Sequence, residues 1–246
     1  STNCDTQPCP LGKVSVLLGS GDGTFTNAVN YDTGEEPFFI TTADINGDGV
    51  LDVVTANNCG YNCPATRSAV SVLLGNGDGT FTPHIDTQLA NSNYALWVAI
   101  GDLNGDGLPD LVTADYCVSQ CFSGPAPLSI LFGTGNGTFT AGPELITSGG
   151  VSSTAIGDFN FDGIPDIAAG DYSGLVAVFL GSGGATFQPP SNYAVGKSPW
   201  TVTTGDFNND GRLDLATSNF GNLNLYSGSV SVLIGKGDGS FLVHSD

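Results

Sequence analysis

The chain repeats itself. An apolar run that leads into a glycine-rich turn and an aromatic recurs five times: VSVLLGSGDGTF from Val14, VSVLLGNGDGTF from Val70, LSILFGTGNGTF from Leu128, VAVFLGSGGATF from Val176 and VSVLIGKGDGSF from Val230. The glycine that ends each run is Gly19, Gly75, Gly133, Gly181 or Gly235, so the period is 48 to 58 residues. A unit this short cannot bury its own apolar face, and consecutive units must stack to make a common core.

A second pattern keeps phase with the first. Four acidic stretches begin at Asp44, Asp102, Asp158 and Asp206, which are 58, 56 and 48 residues apart. Each unit then reads as four strands. Strand A precedes the acidic stretch (FFITTA, WVAIG, STAIG, TVTTG), strand B follows it (LDVVTA, PDLVTA, PDIAAG, LDLATS), strand C is the apolar run, and strand D starts at the TF of each copy. Asp-Gly or Asn-Gly between C and D signals a hairpin, because both residues tolerate positive φ. Short antiparallel strands at this period describe an all-β propeller of four-stranded blades better than a sandwich. The expected division of the single domain 1–246 is a half-blade at 1–30, then blades at 31–83, 84–141, 142–189 and 190–246. The first unit supplies only strands C and D. Its strand C lacks a partner, which predicts either self-assembly by strand addition at that edge or a ring whose first blade is thin.

The acidic stretches share the spacing D-x-N-x-D-G-x-x-D. Side-chain oxygens at positions 1, 3 and 5 of a tight loop point inward, Gly at 6 permits the turn, position 7 offers a backbone carbonyl, and the carboxylate at 9 closes the shell. Oxygen-only donors without His or Cys select Ca²⁺ over softer metals. The ligand sets are Asp44, Asn46, Asp48, Val50 and Asp52; Asp102, Asn104, Asp106, Leu108 and Asp110; Asp158, Asn160, Asp162, Ile164 and Asp166; and Asp206, Asn208, Asp210, Arg212 and Asp214, with the position-7 residues contributing carbonyls. Four structural calcium ions per chain would use twelve of the 24 acids and move the net charge from −19 to −11. Asp22, Asp78 and Asp238 of the hairpins read as turn residues only.

Charge and cysteine usage bound the partners. With 24 acids against 5 bases the chain lacks the basic patches that phosphate binding needs, which excludes nucleic acid. No apolar run approaches the ~20 residues of a membrane-spanning helix. Cys4 with Cys9, Cys59 with Cys63, and Cys117 with Cys121 are three close pairs, all in the loop between strands B and C of the first three units. No His lies near them, so disulfides in an oxidising compartment fit better than zinc. The chain opens on Ser1 and contains no Met, as expected of a processed export product. Asn136, in NGT, is the sole glycosylation sequon.

LLGNGDGTF together with GDFNNDGRLDLATSNFG resembles the FG-GAP or VCBS-type repeat, and the resemblance extends over nearly the whole chain. It is similar to the integrin α-subunit propeller and to fungal propeller lectins. This implies a calcium-braced propeller of a secreted or cell-surface protein, acting in adhesion or as a lectin-like module with a glycan or protein ligand. Phe38, Phe39, Trp97 and Trp200 begin strand A and are the candidate ligand-binding residues, since aromatic faces stack on sugar rings. Tyr116, Tyr172 and Phe220 follow strand B and are placed in the opposite region. No catalytic residue is assigned. The enzymatic alternative is a calcium-dependent polysaccharide lyase with His84 or a tyrosine as base; His244 lies two residues from the end of the chain.

Overall fold

The computed structural model describes residues 11–58, 68–89, 94–116, 125–221 and 228–244. All six cysteines lie outside the described residues, as do the side chains of Tyr116 and His244. The described residues form eighteen strands and no helix. Strands β1 (Leu11–Val16) and β2 (Val29–Glu35) pair as a two-stranded sheet. The second sheet is β3 (Pro37–Ala43), β4 (Asp52–Asn57), β5 (Ala69–Leu73) and β6 (Ile85–Gln88). The third is β7 (Tyr94–Gly101), β8 (Asp110–Tyr116), β9 (Ala126–Gly133) and β10 (Phe139–Thr147). The fourth is β11 (Val151–Gly157), β12 (Asp166–Asp171), β13 (Leu175–Phe179) and β14 (Ser191–Ala194). The fifth is β15 (Pro199–Gly205), β16 (Asp214–Asn219), β17 (Ser229–Gly235) and β18 (Phe241–His244). Within each sheet consecutive strands are antiparallel neighbours, as the A-B-C-D reading requires.

The sheets stack face to face in chain order. In strand C the period-2 alternation sends Val70 and Val72 forward onto Ala95, Val98, Leu111 and Leu131 of the third sheet. Leu128 and Ile130 meet Val151, Ile167 and Phe179 of the fourth, and Val176 and Val178 meet Val202, Leu215 and Leu233 of the fifth. Leu73 points the other way, onto Val14 of the first sheet. Strands β4, β5 and β12 are therefore buried along their whole length, with a sheet on either side. The strand-A members β3, β7, β11 and β15 contact one another in that order, which gives the stack a propeller-like inner edge. Among the described residues no contact of that size joins the fifth sheet to the first or second.

Two expectations need correction. Strand D does not run from the TF dipeptide in the first, second and fourth units. There the phenylalanine makes a single bridge to the strand-C glycine (Gly19 to Phe25, Gly75 to Phe81, Gly181 to Phe187), and the strand resumes a few residues on. β2, β6 and β14 thus run past the boundaries placed at 30, 83 and 189, and β10, which does start at its phenylalanine, runs past 141. Positive φ in the hairpins falls on the glycines flanking the aspartate (Gly77 and Gly79, Gly237 and Gly239), while the aspartate stays in ordinary backbone space. Asp78 Oδ1 accepts from the N–H (2.9 Å) and hydroxyl (2.6 Å) of Thr80, so its role is to brace the turn.

A buried polar cluster ties neighbouring sheets. Asn57 Nδ2 donates to Ser71 Oγ (2.7 Å) and its Oδ1 accepts from Thr55 (3.0 Å); Ser71 Oγ accepts from the N–H of Gly34 in the first sheet (2.9 Å). Asn219, Thr217 and Ser231 repeat the arrangement, with Gly196 of the fourth unit as donor. In the third sheet the same position is Asp115, which accepts from Thr113 Oγ1 (2.6 Å) and from Ser129 Oγ. Burial pushes the Asp115 carboxyl up to about 7, against the pull of those two hydroxyls. The unfolded chain titrates this group near ~4, so the fold binds the extra proton and the stability it lends is lost as pH rises from about 4 to about 7. Asp115→Asn, which installs the amide that the second and fifth sheets carry as Asn57 and Asn219, should remove that loss. In urea titrations at pH 4.5 and pH 7.5 the variant should be more stable than wild type at the higher pH and near equal at the lower. A difference independent of pH would show that Asp115 is ionised throughout.

Candidate metal centres

The four A–B loops share one hydrogen-bond pattern. The position-1 carboxylate (Asp44, Asp102, Asp158, Asp206) accepts from the N–H of position 5 at 3.0–3.2 Å and from that of position 6 at 2.8–2.9 Å. Position 3 (Asn46, Asn104, Asn160, Asn208) accepts through Oδ1 from the same position-5 N–H, and its Nδ2 donates to the position-5 carboxylate at 2.8–3.0 Å. Position 5 (Asp48, Asp106, Asp162, Asp210) accepts from the N–H of position 7 at 2.8–2.9 Å. The turn needs left-handed backbone at position 4 as well as position 6: Gly47 and Gly49, Gly105 and Gly107, Phe161 (φ 61°) and Gly163, Asn209 (φ 60°) and Gly211. Only the position-6 glycine was legible in the spacing.

The position-9 aspartates play a part that the sequence did not disclose. Asp52, Asp110, Asp166 and Asp214 are fully buried. One oxygen of each accepts from the N–H of loop position 2 (Ile45, Leu103, Phe159, Phe207) at 2.8–2.9 Å. The other accepts from the N–H of the glycine that ends strand C (Gly75, Gly133, Gly181, Gly235) at 2.7–2.9 Å. A single carboxylate thus closes the A–B loop on itself and locks it to the third strand. The glycine is obligatory, because a Cβ there would collide with the carbonyl oxygen of loop position 8 (Leu51, Pro109, Pro165, Leu213). Burial raises the carboxyls of Asp110 and Asp166 above the ordinary range, and their N–H partners pull them back.

Among the described residues no three His, Cys, Asp or Glu side chains converge in a metal-holding cluster. The loop carboxylates are turned instead onto the loop's own N–H groups. The donor set nevertheless fits a hard divalent cation. It contains oxygen alone, the oxygens of positions 1 and 3 meet at one N–H, and a carboxylate oxygen that accepts one N–H keeps a further lone pair.

The aromatic candidates separate into two pairs. A bulge at the start of strand A falls between Pro37 and Phe39, Ala95 and Trp97, and Pro199 and Thr201. Phe38 and Trp200 occupy the bulge, and Phe39 and Trp97 are the first residues paired after it. Phe39 and Trp97 stack on each other across the second and third sheets, with centroids 3.8 Å apart and planes 27° apart, so each covers a face of the other. Phe38 is exposed. Trp200 lies against Tyr172 (6.0 Å) and Phe220 (6.2 Å), and both Trp200 and Phe220 are exposed. This corrects the placement of Tyr172 and Phe220 in the opposite region: antiparallel pairing sets the start of strand A beside the end of strand B, as Pro199 beside Asn219 shows. His84 is on the approach to β6, with Nδ1 2.9 Å from Asp86 Oδ1.

A profile of the FG-GAP-like repeat matches residues 8–55, 62–113 and 158–217. The chain belongs to the FG-GAP-like repeat family. Between the matched segments β9, β10 and β11 continue the same topology. No curated protein matches the chain. Among solved structures, BBS1N in complex with ARL6DN (soaked with lead) is similar with a TM-score of 0.53 at 13% identity, over 87% of this chain and 57% of that one. The Vibrio cholerae biofilm matrix protein Bap1 is similar with a TM-score of 0.50 at 16% identity, over 98% of this chain and 40% of that one. The chain therefore spans about half the length of these structures. At such identities they show a shared propeller-like fold.

The clamp gives a controlled test. Gly133→Ala drives a Cβ into the Pro109 carbonyl and should cost about 2–3 kcal/mol in urea denaturation. Gly19 is the equivalent glycine of the first unit, for which no A–B loop lies among the described residues; its nearest neighbour is 3.7 Å from a built Cβ, so Gly19→Ala should change stability little. Equal costs at the two positions would refute the clamp.

Proposed function

We propose that the chain is a calcium-braced, non-catalytic binding module of a secreted or cell-surface protein. The observation that carries this reading is the fourfold loop: three aspartates and an asparagine around one turn, four times in register, at the same place in every complete sheet. Three carboxylates in nine residues repel one another, and a divalent cation offsets that repulsion. In the first loop Asp44, Asn46, Asp48 and Asp52 would hold it with the Val50 carbonyl, and the corresponding residues would do so in the other three. The bound ion would supply charge neutralisation and cross-linking of the loop, and no chemistry on a substrate. The chain's own contribution is to pre-shape the turn through left-handed backbone at positions 4 and 6.

The ligand surface in this reading is the Trp200, Phe220 and Tyr172 cluster, which offers exposed rings to a glycan or an apolar side chain of a partner protein. A fold shared with a biofilm matrix protein and with a domain crystallised in complex with a partner agrees with a binding or structural role. No specific observation favours the lyase.

Calorimetric titration of metal-free protein should give about four Ca²⁺ per chain, and excess chelator should lower Tm markedly, because ions that bind only the folded state stabilise it. An unchanged melting curve and no binding heat would overturn the calcium assignment. A glycan array probed with wild type and with Trp200→Ala, both in calcium, tests the surface separately. Signal lost in a variant of unaltered Tm supports it, and identical signals or a blank array with wild type contradict it.

A further inference from the structure

Three departures from the repeat converge on one point where the fourth and fifth sheets meet. Loop position 4 is Gly47, Gly105 and Asn209 in three A–B loops and Phe161 in that of the fourth sheet. Loop position 7 is Val50, Leu108 and Ile164 in three loops and Arg212 in that of the fifth sheet. The residue between the strand-C glycine and the hairpin is Ser20, Asn76, Thr134 and Ser182 in four units and Lys236 in the last. A Cβ built on the hairpin residue Gly237 would sit 3.0 Å from Phe161 Cε2 and 3.2 Å from both Cδ and Nε of Arg212, and Lys236 is its neighbour in the chain. The sister positions Gly77, Gly135 and Gly183 meet only the aliphatic position-7 side chain within 4 Å.

Phe161 is strained and open. Its φ of 61° lies in the left-handed region, which an aromatic residue rarely adopts, and strain of this kind gathers at binding sites. Burial does not compensate it, since the residue is 59% exposed. The stem of Arg212 takes the place of its aliphatic sisters against the hairpin and leaves the side chain 48% exposed. Its contact with Asp210, at 3.9 Å between half-exposed groups, is weak. The nearby carboxylates are held by their own turns: Asp210 accepts from the Arg212 N–H (2.9 Å) and Asn208 Nδ2 (3.0 Å), and Asp238 from the N–H (2.9 Å) and hydroxyl (2.6 Å) of Ser240. Two of the four basic residues among those described therefore stand beside one exposed ring. Both sheets of this junction are present, and the position-7 residues Val50, Leu108 and Ile164 are also part-exposed with a further sheet beyond them, so the opening belongs to the loop edge of the stack.

We propose that Phe161, Arg212 and Lys236 form a binding site for an acidic sugar, a uronate residue of a polysaccharide. The C–H face of the pyranose would lie on the Phe161 ring, its carboxylate would take paired N–H bonds from the Arg212 guanidinium, and Lys236 would add a second positive charge. A neutral sugar would use the ring alone, and a small inorganic anion the cations alone. A sugar ring that carries its own carboxylate uses both. The charge of −19 on the whole chain opposes such a ligand at long range, but at physiological salt that field decays over about 8 Å, and contacts inside the site are shorter. The site goes beyond the Trp200 surface: β15 begins beside Trp200 and the A–B loop follows its other end, which puts the two at opposite ends of the fifth sheet.

Calorimetric titration of the 246-residue chain in calcium with tetragalacturonate, and with its uncharged methyl ester, tests this. The acid should bind and the ester should bind about tenfold more weakly or not at all. Two substitutions restore the residues of the sister units and so should leave the fold intact. Arg212→Val, as at Val50, should weaken binding of the acid about tenfold or more, and Phe161→Gly, as at Gly47 and Gly105, several-fold. Trp200→Ala should bind the acid as wild type does. No binding by wild type, equal affinity for acid and ester, wild-type affinity in either Arg212→Val or Phe161→Gly, or loss of binding in Trp200→Ala would each overturn the proposal. Arg212→Val and Phe161→Gly leave Trp200, every loop carboxylate and the position-7 carbonyl in place, so failure here is distinguishable from failure of the calcium or Trp200 readings.

Discussion

One buried carboxylate per unit holds the architecture together. The position-9 aspartate receives an N–H from the A–B loop on one oxygen and the N–H of the strand-C glycine on the other. Buried ionised groups are tolerated when their oxygens are satisfied, and charge-assisted hydrogen bonds of this kind are worth about 1.5–3 kcal/mol each. The same contact determines the sequence around it. The glycine is there because the loop's position-8 carbonyl passes where a side chain would be. Position 2 is apolar because the clamped loop drives it into the junction with the next sheet, where Ile45, Leu103 and Phe159 are buried. Loop, sheet and stacking are thereby coupled, and an ion in the loop would strengthen a frame already set by the carboxylate.

Much of this was legible from the chain alone, for identifiable reasons. The alternation in VSVLL sends residues to both faces, and the burial of Val70, Val72 and Leu73 follows from that pattern with no further information. The strand order within sheets follows from hairpin spacing. The clamp was hidden, because Asp110 and Gly133 are 23 residues apart and Asp166 and Gly181 are 15 apart; each motif looked self-sufficient. The aromatic cluster was misplaced for a related reason. Reading along the chain separates Trp200 from Phe220 by a whole loop, while antiparallel pairing returns the second to the first. Phe38 and Phe39 looked like one site, but Phe38 sits in the bulge and is exposed while Phe39 is half-buried against Trp97.

The repeat also explains where the molecule is unlike itself. The second and fifth sheets carry Asn57 and Asn219 where the third and fourth carry Asp115 and Asp171, and the clusters around the aspartates supply donors where those around the asparagines use the amide. Phe207 and Leu17 keep the apolar identity of their equivalents although no neighbouring sheet covers them among the described residues. Residues that obey the repeat while their surroundings depart from it are the informative positions in a stacked-sheet protein, because the pattern states what each should be touching.

Amide hydrogen exchange followed by NMR in the native protein tests the clamp most directly. If the buried carboxylate anchors loop to strand, the N–H groups of Gly75, Gly133, Gly181 and Gly235 should exchange orders of magnitude more slowly than those of the hairpin glycines Gly77, Gly135 and Gly237, which lie two residues away in the same units. Exchange of the four clamp glycines at the hairpin rate would contradict the account.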